Sequence, residues 1–273
     1  MPLTTTDIAA LTPTGIAALT STEIAAFSTT QFGAFSPTQL GLLSTTQINA
    51  ITTTDIGVLT TVQLSGLTAS QVGALATSRI NALSSTSIAS LSATQLGALT
   101  TTQIVALNTT KFSALTSTAL GILTTTQVAA ISTADMAILT TMQLGGLTAT
   151  DIGALTTAQV NALNTTAIVN LSTAQLGGLT TTQVANLTTT RFAALSSTAV
   201  SLLTETQVAA ISAGDWAILT TVQLGGLTAT DIGVLSTTQI NAFNTTTIVN
   251  LSAAQLGGLT TAQVAGLSTT KFA

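Results

Sequence analysis

An unbroken eight-residue repeat constrains this chain more than any other feature in it. Residues 3–273 divide into 34 consecutive octads, the last one residue short, with no insertion or deletion. Leu99-Thr100-Thr101-Thr102-Gln103-Ile104-Val105-Ala106 is representative. Position one is Leu, Ile or Phe in all 34 copies, and position two is Ser, Thr or Asn in 33, with Ala76 the exception. Position five is Gln, Asp or Glu in 24 copies, and position six is always large and apolar. So strict a period makes residues 1–273 one continuous repeat array rather than the one or two ordinary domains that the length alone suggests.

Each octad carries the start signals of a helix. A hydroxyl at position two with Gln or Glu three places later is a capping box, in which the hydroxyl accepts from the N3 amide and the Gln accepts from the N-cap amide. Positions one and six then fall at N′ and N4 and form a hydrophobic staple. Pro13 and Pro37 occupy position three, the N1 site where the missing N–H costs nothing. The next cap ends each helix after about seven residues, too short to be stable alone in water, so packing must hold it. Such a helix also leaves terminal N–H and C=O groups without intrahelical partners, and a capping box satisfies only two donors. Ala76, without a capping hydroxyl, marks an expected weak point.

The competing fold is a β-solenoid with two octads per coil, since Thr, Ile and Val favour strands. A strand buries every second side chain. The large apolar residues here alternate spacings of five and three, which would put them on opposite faces. The expected fold is therefore an all-α solenoid of very short capped helices.

Two longer periods overlie the octad. The first is ten octads: 43–122, 123–202 and 203–273 are successive copies, and 3–42 is a partial one. Residues 123–193 and 203–273 match at 55 of 71 positions. Lys111-Phe112, Arg191-Phe192 and Lys271-Phe272 mark one shared point, and Asp55, Asp135 and Asp215 another. The second period is two octads. All charges except Glu205 sit at position five; the acids Asp7, Glu23, Asp55, Asp135, Asp151, Asp215 and Asp231 fall in odd octads, and Arg79, Lys111, Arg191 and Lys271 in even ones. This parity predicts two octads per layer, with acids on one exposed edge and bases on the other. Association of acidic with basic edges, or end to end, is the self-association such an array suggests.

Composition limits function. Only 4% of residues are charged and the net charge is −4, which leaves no basic patch for nucleic acid and no polybasic membrane segment. Mean hydropathy is +0.64, yet a Ser/Thr-rich trio interrupts every octad, so no stretch nears the roughly 18 apolar residues of a membrane span. Met1-Pro2-Leu3 enters the repeat at once, without a signal-peptide pattern. There is no Cys, His or Tyr.

No catalytic, cofactor-binding or metal-ligating residue is expected. The acids recur one per octad at most and serve as capping-box acceptors near a helix N-terminus. Two carboxylates, such as Asp135 with Asp151 or Asp215 with Asp231 in adjacent two-octad layers, fall short of the six to eight oxygens calcium takes. Lys111, Arg191 and Lys271 suit solubility, and Trp216, in the place of Met136, suits core packing. The Gly-Gly pairs starting at Gly145, Gly177, Gly225 and Gly257 suggest close helix approach; no phosphate-loop pattern accompanies them. Ranks of Thr also suit an ice-binding surface, but only on the β fold.

The octad resembles the LTxxQ[IV]xAL arrays of large bacterial surface and secreted proteins, some adhesin-like, and this resemblance covers essentially the whole chain. It implies a stalk, spacer or scaffold, extracellular and bacterial. Leu11-Thr12-Pro13-Thr14 and Phe35-Ser36-Pro37-Thr38-Gln39-Leu40 also resemble the LTPEQV helix start of TAL-effector repeats. The rest of that longer unit and its basic base-reading loop are absent, so DNA recognition does not carry over. The expected function is structural and non-enzymatic, with a binding or filament-forming module as the alternative.

Overall fold

The computed structural model describes residues 3–268, and Lys271 and Phe272 lie outside them. Among the described residues the chain is all-α: 33 helices of four to six residues follow one another at one per octad, from Thr5–Ala9 to Thr261–Ala265, and no strand occurs. The β-solenoid alternative, and the ice-binding surface that needs it, do not hold. The cap at position two outweighs the strand preference of Thr, because the hydroxyl is spent on the helix N-terminus. Thr100 shows the geometry: its backbone is extended (φ −75°, ψ 156°), and its Oγ1 accepts the Gln103 N–H at 3.1 Å. The helices are shorter than the sequence leads one to expect. In Thr101–Ala106 the following Leu107 already turns extended (φ −59°, ψ 127°) to reach the next cap.

The chain forms two compact units, Met1–Asp135 and Met136–Ala273, each a solenoid of these helices. Within each unit a helix packs against the helices three before and three after it. Thr53–Gly57 packs on Thr77–Ala82 in the first unit, and Ala149–Ala154 on Thr173–Gly178 in the second. One turn is therefore three octads, and the two-octad layer expected from charge parity is wrong. Positions one and six form the core. Ile104 is 0% exposed and Leu107 4%, whereas the Thr residues at positions three and four face solvent. Trp216 fits the same scheme at position six, fully buried between Phe192 (centroids 6.1 Å) and Phe243 (5.3 Å).

Several glycines stand where a neighbouring turn comes close, Gly41 and Gly73 at position seven and Gly178 and Gly258 at position eight among them. A Cβ on Gly178 would stand 2.3 Å from the Ala149 carbonyl oxygen, and one on Gly258 2.1 Å from that of Ala229, so any side chain there would push the turns apart. The first glycine of these two pairs is different: a Cβ on Gly177 or Gly257 would meet nothing within 4 Å. In them the expected close approach belongs to the second glycine.

Candidate functional site: the position-five ladder

The side chain at position five joins one turn to the turn before it. Gln103 is 2% exposed. Its Oε1 accepts the Thr100 N–H at 2.8 Å, completing the capping box. Its Nε2 donates backwards, to the carbonyls of Val72 (2.9 Å) and Leu75 (2.7 Å). Those carbonyls belong to the C-terminal end of Ala69–Ala74, where Val72 also accepts the Leu75 N–H at 3.2 Å and the Leu75 carbonyl lies past the helix's own hydrogen bonds. One amide thus serves the N-terminus of its own helix and the C-terminus of the helix four back. The same two reaches, 31 and 28 residues, recur at Gln71, Gln127, Gln183 and Gln263. The octad pattern alone points to an exposed edge for this position and to unsatisfied terminal carbonyls. Both expectations are corrected by burial: the side chain lies between turns, and it supplies the missing donors. The signal is present in the preference for Gln over Glu, since only the amide can donate.

At the four cations and at Ala167, a second residue supplies a part that position five cannot play. A cation cannot accept the N-cap amide. Each of the four has an asparagine at position seven of the octad four back: Asn49 before Arg79, Asn81 before Lys111, Asn161 before Arg191 and Asn241 before Lys271. These asparagine Oδ1 atoms accept the N-cap N–H groups of Ala76 (3.0 Å), Asn108 (3.1 Å), Thr188 (2.8 Å) and Ser268 (2.9 Å). Ala76, the expected weak point, still lacks a side-chain cap: Asn49 takes its own N–H, and the Arg79 amide turns to the Ala76 carbonyl at 2.9 Å. Arg79 keeps the donor half as well, its Nε reaching the Ile51 carbonyl at 2.8 Å. Where position five is Ala167 or Thr247, the N-cap is Asn164 or Asn244 instead of a hydroxyl residue. Asn164 Nδ2 donates to the Leu139 carbonyl at 3.1 Å, and Thr247 Oγ1 to that of Leu219 at 3.1 Å.

Acids can accept but not donate. At Asp7 and Glu23 this suffices, because both are exposed. Hydrogen bonds from the Thr4 side chain and amide hold the Asp7 carboxyl below its usual range, and bonds from the Thr20 amide and side chain do the same for Glu23. Asp135 and Asp215 are 1% and 0% exposed. In each, one oxygen accepts from the capping serine, Ser132 or Ser212 at 2.6 and 2.7 Å, while Oδ1 has no partner. Burial raises both carboxyls above the ordinary Asp range, against the opposing pull of those serines.

The three-octad turn accounts for part of the charge parity. Arg79 stands three octads after Asp55, and Asp215 three after Arg191, on helices that pack together. Three octads between acid and base force opposite parity, and copying in blocks of ten octads preserves it because ten is an even number. The segregated edges are therefore not a feature of the fold. Nor do Asp215 and Asp231 stack: Ala213–Ala217 packs on Thr189–Ala193 and Thr237–Ala242, not on Ala229–Gly233. Among the described residues no three acidic side chains converge on a point that could hold a metal ion. None of the described helices is long and apolar enough to cross a membrane.

Comparison with known proteins gives one family. The model of the ALTTAQ repeat matches residues 2–37, 24–61, 48–85, 72–109, 128–165, 157–189 and 240–269. Three successive matches begin at 24, 48 and 72, a step of three octads, equal to the three-helix turn. No curated protein matches the chain. Together the matched segments span well over half of the residues, and the chain belongs to the ALTTAQ repeat family.

Proposed function

We propose that this array is a non-enzymatic spacer or scaffold, extracellular and carried by a bacterial surface or secreted protein. The observation that carries the reading is the position-five ladder, which spends the polar side chains of each turn on joining that turn to its neighbour. Gln and Asn are consumed in this way and the hydroxyls in capping, and among the described residues no turn gathers three acidic side chains. Stability in such a coil accumulates turn by turn, which suits a part whose job is to extend. The resemblance to surface-protein arrays supports the location, and the sparse basic residues argue against nucleic acid as a partner. The test is small-angle scattering on chains lengthened by one, two and three copies of residues 155–178. A spacer gains equal increments of maximum dimension per added turn; a maximum dimension that stays constant as turns are added rules it out.

A binding role has one specific observation in its favour. Val58 with Val62, Ile138 with Met142 and Ile218 with Val222 are exposed apolar pairs, 40–77% accessible, that recur at the same point of each ten-octad copy. If these pairs hold a partner, replacing Met142 and Val222 by Ser abolishes that association without lowering stability.

A further inference from the structure

Asp215 stands where the ladder calls for a donor. In the octads on either side, Gln207 donates to the Leu179 carbonyl at 2.6 Å and Gln223 to that of Leu195 at 2.9 Å, each 28 residues back. The carbonyl 28 residues before Asp215 is that of Leu187, and no donor reaches it among the described residues. Asp215 is 0% exposed and its Oδ1 has no partner. Side chains both shorter and longer than aspartate span the same gap. Thr247, 1% exposed, donates from Oγ1 to the Leu219 carbonyl at 3.1 Å, and the glutamines do so from Nε2. The reach of an aspartate carboxyl is intermediate, and its Oδ2 is held by Ser212 Oγ at 2.7 Å. Oδ1 is thereby left at the Leu187 carbonyl, oxygen facing oxygen. Asp135, at the same point of the preceding ten-octad copy, has the same serine bond and the same unpartnered oxygen.

A carboxylate only accepts, but a carboxylic acid also donates. We propose that Asp215 holds a proton on Oδ1 and donates it to the Leu187 carbonyl, so that this rung of the ladder is closed by the acid form and opens when the proton leaves to water. One carboxyl then does what one amide does elsewhere. No neighbouring charge is bonded to it. Ala213–Ala217 packs on Thr189–Ala193, whose charged residue is Arg191, and on Thr237–Ala242, which has none. Arg191 Nε is taken by the Asn161 carbonyl at 3.1 Å. Thr181–Ala185, which precedes the Leu187 corner, and the following helix Thr221–Leu224 are uncharged, and Glu205 on the preceding helix is exposed. Burial accordingly pushes the Asp215 carboxyl up. Asp151 and Asp231 are buried too, yet one oxygen of each takes both the hydroxyl and the N–H of its threonine cap, which suits the ionised form. Because the folded-state value is the raised one, the bond is fully present within the ordinary carboxyl range and is lost as pH rises through that raised value. The turn then carries a proton-operated joint directly beside the chain's single tryptophan, Trp216.

The test reads the proton directly. Infrared spectra of the full chain carrying Asp135→Asn, which leaves Asp215 as the one acid with an unpartnered buried oxygen, are recorded from acid to neutral pH while Trp216 emission is followed in the same samples. A protonated-carboxyl band is expected to persist above the ordinary carboxyl range, to vanish in step with a shift of Trp216 emission, and to be absent once Asp215→Asn is added. Denaturant midpoints separate the bond from burial alone. Between neutral pH and the ordinary carboxyl range the Asp215→Asn midpoint should be independent of pH, since the amide accepts and donates throughout. Asp215→Ala should be equally flat but lower than Asp215→Asn, because it leaves the Leu187 carbonyl without a donor. An Asp215 carboxyl that ionises fully within the ordinary range overturns the proposal. So do equal midpoints for the asparagine and alanine variants. So does a neutral-pH stabilisation by added sodium or calcium chloride that the Asp215→Asn variant lacks, which would put a cation rather than a proton between the two oxygens.

Discussion

A glutamine and a glutamate at position five differ by a single donor group, and the ladder turns that difference into stability. Gln103→Glu keeps the acceptor for the Thr100 amide but sets a carboxylate against the Val72 and Leu75 carbonyls. An unsatisfied or repelled buried polar group costs about 1–3 kcal/mol, more when charged. The denaturant midpoint of Gln103→Glu at neutral pH should fall by at least that much, and further than that of Gln103→Ala. Asp135 and Asp215 already live with this penalty. Their folded-state carboxyls hold the proton to a higher pH than in the unfolded chain, so ionisation at neutral pH costs stability. That cost disappears as pH falls through the raised value toward the ordinary one near about 4. Asp7 and Glu23 run the other way, with their contribution present at neutral pH and lost as pH falls through the lowered values. The double variant Asp135→Asn, Asp215→Asn should be more stable than the parent at neutral pH, and urea melts between neutral pH and the ordinary carboxyl range should show it losing the parent's gain on acidification. At this scale the cap was legible in the sequence, because its partners lie three places apart. The other half of each glutamine was not, because its partners lie 28 and 31 residues away and nothing local indicates that reach. The asparagine four octads before each cation was visible as a spacing, but it gained meaning only once the turn length was known.

The single helix is too short to survive by itself, and its two ends fail in different ways. The N-terminus depends on the hydroxyl at position two: Thr100→Ala, Thr124→Ala and Thr180→Ala should each cost about 0.5–2 kcal/mol. The neighbouring Thr101, Thr125 and Thr181, at N1 with no capping role, should cost less, and equal losses in thermal melts of the two sets would refute the register. The C-terminal half depends on close passage over another backbone. Gly178→Ala places a methyl against the Ala149 carbonyl and should cost about 1–3 kcal/mol by overpacking. Gly177→Ala, one position earlier, meets open space and should be neutral or stabilise by up to about 1 kcal/mol through the unfolded chain. Helix starts were readable to the residue because capping box, staple and proline agree on one register. Helix length was overestimated because position one leaves the helix early to build the next corner. The glycine pairs were recognised but not resolved, since which member meets a backbone depends on a contact with the turn below.

For the whole molecule, the turn of three octads replaces the layer of two, and the consequence for deletions changes with it. Octads are chemically near-equivalent, so any whole number of them can be removed if the long-range pairs stay in step. Deleting residues 123–130 leaves every asparagine four octads before its cation and Trp216 three octads after Phe192. Deleting residues 171–178 removes the same length but leaves Asn161 only three octads before Arg191, so the Thr188 amide loses its acceptor. The second deletion should lower the denaturant midpoint more than the first; equal losses would show that the asparagine bridges contribute nothing. The solenoid itself was legible from the period, but its pitch was not. At Asp55 with Arg79 and Arg191 with Asp215, parity looked like a structural signal because two unrelated integers, three octads between stacked charges and ten between copies, both keep it.

Those integers share no factor, and the array consequently behaves as a vernier. Ten octads is three full turns and one helix more, so each duplication advances its copy by one side of the coil. In the unit from Met136 onward, Met142 and Val222 occupy equivalent places in successive copies yet stand on different sides of the three-helix turn. Duplicating the same ten-octad block therefore does not pile a feature into a single stripe. It deals the feature out around the circumference and returns to the starting side only after three copies, so a gene that grows by copying this block multiplies its surface marks while keeping them apart.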